Sequence, residues 1–393
     1  MKYLITNKDH SQPYGGTMGP YGDIVVCGGR SHPTLVESVC RHLEIFPSPI
    51  TFTDFSNGNV KVVLDNVRHQ DVFVIQTGAR GGVDNRFFTK VTSERRAAIF
   101  ERFLAIDGLS PDETMFVTAL LNAASSFGDL ASLFCNRDLM ELLIIVDALR
   151  SASAGRITVV MPYMFYVRSD KKEEGRISVT AKLVAKLIEC AGAHRVLVMD
   201  LHASQIQSFF DIPTDQLFAE PSFFEFIRRH RLENMVVVTG DEGNVKPSRR
   251  IARLLGNLPV VIVHKMRWDD TETADDVEVI GDVEGKICLL VDDETLTGGT
   301  LLPAIRILKN RGAREVIVFL AHFIASNGAV QLLTDSSITS LVTTNTIPLI
   351  CPASDKIQIC DVSSIFARAI RRIHDGRSIS DLIQKLRENA LTI

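Results

Sequence analysis

The 393-residue chain has no surplus of either charge: 43 Lys and Arg stand against 47 Asp and Glu, for a net charge of -4. That balance removes any bulk electrostatic reason to expect a nucleic-acid or anionic-membrane partner, so an anion site has to be local. Long apolar runs are missing too. Nothing approaches the ~18 apolar residues of a membrane span, and Met1-Lys-Tyr-Leu-Ile-Thr lacks the apolar stretch of a signal peptide, so the expectation is a soluble cytoplasmic protein with no membrane partner. Cysteines are few and odd in number. The seven of them (Cys27, Cys40, Cys135, Cys190, Cys288, Cys351 and Cys360) are scattered, mostly inside apolar runs such as Lys286-Ile-Cys-Leu-Leu-Val. They read as small buried hydrophobes in a reducing compartment, not as a disulfide framework.

What is present is ordinary globular composition, 46% hydrophobic and 23% charged, over a length sufficient for two domains. Residues 1 to 20 are polar and rich in Gly and Pro, which predicts an irregular N-terminal arm. Strand, helix, strand grammar begins at Asp23-Ile-Val-Val-Cys, continues through a helix with a capping Ser at Ser31, and reaches a strand at Val72-Phe-Val-Ile. It resumes at Ile157-Thr-Val-Val-Met, with a helix from Ser178 carrying Val179, Leu183, Val184, Leu187 and Ile188 at helical spacing, then strand Arg195-Val-Leu-Val-Met-Asp. Further apolar strands are expected at Met235-Val-Val-Val-Thr, Pro259-Val-Val-Ile-Val-His, Ile287-Cys-Leu-Leu-Val and Val316-Ile-Val-Phe-Leu-Ala. Short, evenly apolar strands alternating with helices predict an α/β fold of mainly parallel sheets flanked by helices. From about residue 79 to 135 an inserted segment breaks this rhythm, with helix-like runs from Ser93 and up to Phe134.

In parallel sheets, ligands gather beyond the carboxyl ends of the strands. The most specific segment there is Leu289-Leu-Val-Asp-Asp-Glu-Thr-Leu-Thr-Gly-Gly-Thr-Leu, an apolar strand ending in Asp292 and Asp293 before a turn of Thr297, Gly298, Gly299 and Thr300 that opens a helix. Small residues let backbone N–H groups converge on a phosphate, the threonine hydroxyls add donors, and the two acids suit sugar hydroxyls or a hydrated cation. His202 follows a strand ending in Asp200 and is either a cation ligand or a structural imidazole. Asp241 holds the next strand end, as a candidate acid or a turn former. Tyr166-Val-Arg-Ser-Asp-Lys-Lys-Glu-Glu-Gly-Arg packs four cations into eleven residues, a phosphate-gripping loop or a solvated one. Lys265 and Arg267 follow the strand Val260-Val-Ile-Val and lead into the polar stretch from Trp268.

These segments together resemble the ribose-phosphate diphosphokinases, the synthetases of phosphoribosyl pyrophosphate (PRPP). The acid and Thr-Gly-Gly-Thr segment is shared with type I phosphoribosyltransferases, whereas Met199-Asp-Leu-His-Ala-Ser-Gln-Ile-Gln-Ser-Phe-Phe-Asp-Ile-Pro-Thr-Asp-Gln-Leu-Phe-Ala-Glu-Pro is similar to the synthetase signature almost position for position. The resemblance runs from about Asp23 to the C-terminus, interrupted mainly by the insertion. It implies two phosphoribosyltransferase-like domains, at 21–219 and 220–372, with the tail 373–393 returning to the first. It implies transfer of the diphosphoryl group of Mg-ATP to ribose 5-phosphate, giving PRPP and AMP.

By the same resemblance, Lys265 and Arg267 are the catalytic cations. Asp292, Asp293, Thr297, Gly298, Gly299 and Thr300 hold ribose 5-phosphate, and His202 and Asp241 attend the Mg2+. The ATP contacts are Arg168, Ser169, Lys171, Lys172 and Arg176, with Phe55, Asn57 and Asn59 on a loop that reaches a neighbouring subunit's adenine. Asp215, Ser378 and Ser380 match an allosteric phosphate or ADP region. Family members form dimers that assemble further, often to hexamers, and hetero-oligomers with other synthetase subunits are a further expectation. Ser169, Asn59 and Leu296 depart from the usual Gln, acid and Asp, so a non-catalytic regulatory subunit is the alternative expectation.

Overall fold

The computed structural model describes residues 21–79, 127–240, 245–265, 277–295, 301–324, 332, 335–349 and 354–391. The N-terminal arm, most of the insertion, Asp241, Arg267 and the Thr297–Thr300 turn lie outside the described residues.

The first sheet contains β1 (Ile24–Gly28), β4 (Asp71–Ile75), β5 (Arg156–Met161), β6 (Arg195–Met199) and β7 (Thr214–Leu217), in that spatial order and parallel throughout. All five residues of β4 are buried, as expected of a central parallel strand covered on both faces. Beside this sheet stands an antiparallel hairpin, β2 (Ile50–Asp54) and β3 (Val60–Leu64). The second sheet has seven strands in the order β10 (Val277–Ile280), β9 (Val260–Lys265), β8 (Met235–Thr239), β11 (Ile287–Thr295), β12 (Glu315–Phe323), β13 (Ser340–Thr344), β14 (Ile357–Cys360). Only the β9–β10 pair is antiparallel.

Helix α1 (Pro33–Leu43) starts one residue later than the sequence rule suggests. His32 caps it, its Nδ1 accepting from the Leu35 N–H at 3.3 Å, while the Ser31 hydroxyl oxygen is already engaged as an acceptor by the Thr77 N–H at 2.8 Å and donates to Gln76. Helix α2 (Phe127–Ser151) runs without a break from the end of the insertion into the segment after Asn136, and α3 (Thr180–Ala191) lies over the first sheet. In α3, Val184 and Ile188 are buried, but Leu183 and Leu187 are exposed, because the stripe that meets the sheet is Ala181, Val184, Ala185 and Ile188. Cys190, near the end of α3, is exposed as well, unlike buried Cys27, Cys40 and Cys288.

Three hydrophobic clusters organise the fold. One unites Val26, Phe73 and Leu197 of the first sheet with Val237, Leu289 and Phe319 of the second through α1, α4 (Glu220–Arg229), α5 (Val245–Leu254), α7 (Ser363–His374) and α8 (Ile379–Leu391). The two sheets therefore share one helical filling. Helix α7 packs on α1 and α8 on α4, which ties the C-terminus to the opening elements. The outer faces are covered by α2 and α3 on one side, and on the other by α6 (Leu301–Asn310). Among the described residues, no helix is long and apolar enough to cross a membrane.

Candidate active site

The cleft is built where strand ends of the two sheets meet. Met199 closes β6, and Asp200 then adopts a positive φ of 38°, turning the chain so that His202 is presented beyond the strand. The turn is held in place. Asp200 accepts the Ala219 N–H at 2.7 Å, and His322 on β12 places its Nε2 3.1 Å from the Met199 carbonyl and 3.0 Å from that of Asp200. The other nitrogen of His322 meets the Thr346 hydroxyl at 2.8 Å, so this buried ring is committed to joining the sheets. Burial lowers its pKa, and burial raises that of the Asp200 carboxyl to about 7.

Across the gap, β11 remains apolar through Leu290 and then ends in Asp292, Asp293, Glu294 and Thr295. His202 Nδ1 lies 2.6 Å from Asp293 Oδ2 and 4.0 Å from Glu294 Oε1. The bond to Asp293 raises the pKa of His202 against the effect of burial. Burial works to raise Asp293 as well, but its bonds to the His202 and Asp292 side chains outweigh it and hold Asp293 below the ordinary carboxylate value. Glu294 shows the opposite outcome: burial, with Asp293 beside it, pushes its pKa up.

Arg168, from the cation-rich loop after β5, brings its Nε to 3.2 Å from Glu294 Oε1. Tyr163 stands against the same carboxylate, its own pKa raised by burial and then by Glu294. The Tyr163 carbonyl accepts the Gly78 N–H at 2.8 Å, and a Cβ at Gly78 would come within 2.7 Å of the Phe165 nitrogen, so only glycine fits this approach.

The structure thus joins His202, Asp292, Asp293 and Arg168 in one cleft. Lys265 closes β9 at the same carboxyl edge. Register through β8 sets Ile262 level with Thr239 and Thr239 level with Val291, so the backbones of Lys265 and Glu294 are level two strand spacings apart, roughly 10 Å. Lys171 pairs with Glu173 at 2.8 Å, and Lys172 and Arg176 are exposed on the same loop. Ser169 uses its hydroxyl to brace that loop, accepting from the Thr180 N–H at 3.2 Å.

The hairpin tip with Phe55, Asn57 and Asn59 makes its bonds internally, Phe55 N–H to the Asn59 carbonyl at 2.9 Å and Asn59 N–H to the Asn57 side chain at 3.1 Å. Phe55 projects with 49% of its surface exposed. Asp215 pairs with Arg195, and Ser378 caps α8 by accepting the Asp381 N–H at 3.1 Å, with Ser380 exposed in that helix. Glu294, Tyr163 and His322 were not singled out from the sequence. The available signal was a run of three acids, Asp292 to Glu294, closing an otherwise apolar strand.

Family comparisons agree with this geometry. The model for the N-terminal domain of ribose phosphate pyrophosphokinase matches residues 24–121 and 130–192, and that for the phosphoribosyl synthetase-associated domain matches 232–384. The ribose-phosphate pyrophosphokinase of Corynebacterium efficiens is 34% identical over 367 residues, 92% of this chain and 96% of that one. The chain belongs to the ribose-phosphate pyrophosphokinase family. Another family member, ribose-phosphate pyrophosphokinase 4 of Saccharomyces cerevisiae, is 38% identical over 365 residues, 91% of this chain and 94% of the yeast protein. The crystal structure of the Mycobacterium smegmatis phosphoribosylpyrophosphate synthetase superposes with a TM-score of 0.72 at 31% identity, covering 90% of this chain and all of that one. The two-sheet architecture is accordingly that of a family enzyme.

Proposed function

We propose that this cleft transfers the diphosphoryl group of ATP to the anomeric hydroxyl of ribose 5-phosphate. The hydroxyl oxygen bonds to the β-phosphorus and gives up its proton, the bond from that phosphorus to the α-bridging oxygen breaks, and AMP leaves with the electron pair. The observation that supports this reading is the 2.6 Å contact of His202, beyond a strand of one sheet, with Asp293 at a strand end of the other.

Asp292 and Asp293 orient the ribose hydroxyls, and the turn of Thr297, Gly298, Gly299 and Thr300 receives the 5-phosphate. Arg168, with Lys171, Lys172 and Arg176 on its loop, takes the nucleotide phosphates, and Phe55 stacks on an adenine bound to a neighbouring subunit. Lys265 and Arg267 face the transferring group. Holding charges in place as negative charge shifts between oxygens is most of what phosphoryl-type transfer asks of a protein.

An imidazole nitrogen beside carboxylate oxygens at a strand end is a donor set that fits a divalent cation, so His202, together with Asp241, is the expected holder of magnesium. When bound, magnesium would supply positive charge to the phosphate oxygens. A cytoplasmic homo-oligomer, built from dimers, completes the reading.

The test is to incubate purified protein with ribose 5-phosphate, Mg-ATP and inorganic phosphate and to quantify AMP and PRPP. Equal amounts of both are expected. Neither product from well-folded, nucleotide-binding protein would mean a regulatory member of the family.

A further inference from the structure

Glu294 sits in the cleft with its charge poorly accommodated. Its side chain is only 3% exposed, and neither oxygen accepts a hydrogen bond of regular geometry among the described residues. Burying a carboxylate without bonded partners costs several kcal/mol, so a chain that keeps one there has something else to place against it. Arg168 and the Tyr163 hydroxyl beside it are a poor answer, since neither makes a regular hydrogen bond to the carboxylate and the Arg168 side chain is 52% exposed. The better answer lies on the other side. His202, Asp293 and Glu294 each offer one ligand atom, and the three atoms lie within 4.8 Å of one another.

We propose that Glu294 is a further protein donor, alongside His202 and Asp293, of the divalent-cation site in this cleft. The proposal rests on reading the cleft as a place for metal-bound phosphates, and it adds a residue of this chain to the metal's ligands. Two carboxylate oxygens suit a hard cation, and the imidazole nitrogen favours Mn2+ over Ca2+. A cation there takes up the oxygens that the protein leaves unbonded. It also competes with Arg168 for Glu294, which frees that exposed guanidinium to turn towards the phosphates of an incoming nucleotide.

The experiment uses the full chain, stripped with a chelator and free of nucleotide, titrated with Mn2+ while the free ion is followed by electron paramagnetic resonance. One ion per chain is expected, with binding weakened at least ~10-fold in Glu294→Gln and partly restored in Glu294→Asp. Thermal unfolding of the same proteins supplies the second readout. Without the ion, Glu294→Gln should melt at or above the wild-type temperature, because an ill-matched buried charge has gone, and it should lose most of the Mn2+-induced rise. Equal Mn2+ binding by wild type and Glu294→Gln would overturn the proposal. So would Glu294→Gln melting well below wild type without the ion, which would make the Arg168 pair the reason for the acid. If the chain makes AMP and PRPP but binds no Mn2+ without nucleotide, the site is wrong and the activity stands. A Glu294-dependent site in a chain that makes neither product would uphold the site and end the proposed activity.

Discussion

Two clusters in this molecule use the same three residue types, Asp or Glu, Arg and His, and they balance them differently. In the first, Asp71 at the start of β4 is fully buried, and its two oxygens take Arg156 Nε at 2.8 Å and His374 Nδ1 at 2.9 Å. Arg156 also donates to the Ile373 carbonyl at 3.0 Å and stacks over Tyr21, so every charge is answered and the C-terminal α7 is pinned to the first sheet. In the second, Glu294 is as deeply buried but has no regular hydrogen bond, and His202 and Arg168 beside it are partly open to solvent. A closed set of bonds holds a fold together. An open set, at the edge where two sheets meet, holds its groups ready for something that is not yet there.

The comparison breaks most readily at Lys265. If the open side of the molecule carries the chemistry, Lys265→Ala should lower turnover by ~100-fold or more while the dissociation constant for ATP changes little; a near-normal rate in the AMP assay would remove Lys265 from the mechanism. Next in size is Asp71→Ala, which leaves Arg156 and His374 facing an empty buried position. It should cost about 3–5 kcal/mol in urea unfolding yet leave kcat at a permissive temperature near wild type, and a large kcat loss would mean that the closed cluster also serves the site.

Asp200→Asn sharpens the comparison through pH. The folded Asp200 holds its proton up to about 7, against 3.8 for the ordinary carboxyl, so wild-type stability falls as pH rises between those values and the penalty is constant above them. Because the residue is only partly covered, the variant should exceed wild type by ~1–3 kcal/mol at pH 8, and the gap should close towards pH 4, in chelator-treated protein. The smallest effect belongs to Arg137, which pairs with Asp54 at 3.0 Å in the open. Arg137→Ala should change stability by less than ~1 kcal/mol, and a several-fold rise in KM for ATP would be its signature if the hairpin positions Phe55 on a neighbour's nucleotide.

Much of the fold was readable because parallel strands buried on both faces are continuous apolar runs, and β4, β5, β8 and β11 have that form. The acids at the end of β11, His202 after β6 and the cations of the Arg168 loop were readable for a related reason, since they interrupt such runs where ligands collect. The hairpin β2–β3 was legible only as a loop, because its strands alternate half-buried with exposed residues and lack the continuous apolar runs of the parallel strands. The cap of α1 falls on His32 and not Ser31, since a local rule favours the serine and cannot know that the Thr77 N–H, 46 residues on, takes up its oxygen.

By itself, the sequence determined most of the buried parallel strands, which of their ends carry charge, and the family to which the chain belongs, because these depend on residue type and short-range order. Only the tertiary structure decided that His202 meets Asp293 over a separation of 91 residues, that His322 locks Asp200 from the other sheet, and that Glu294 is buried without a regular bond. Contact and desolvation arise from chain segments packed side by side, and no local pattern records which neighbour a side chain will face.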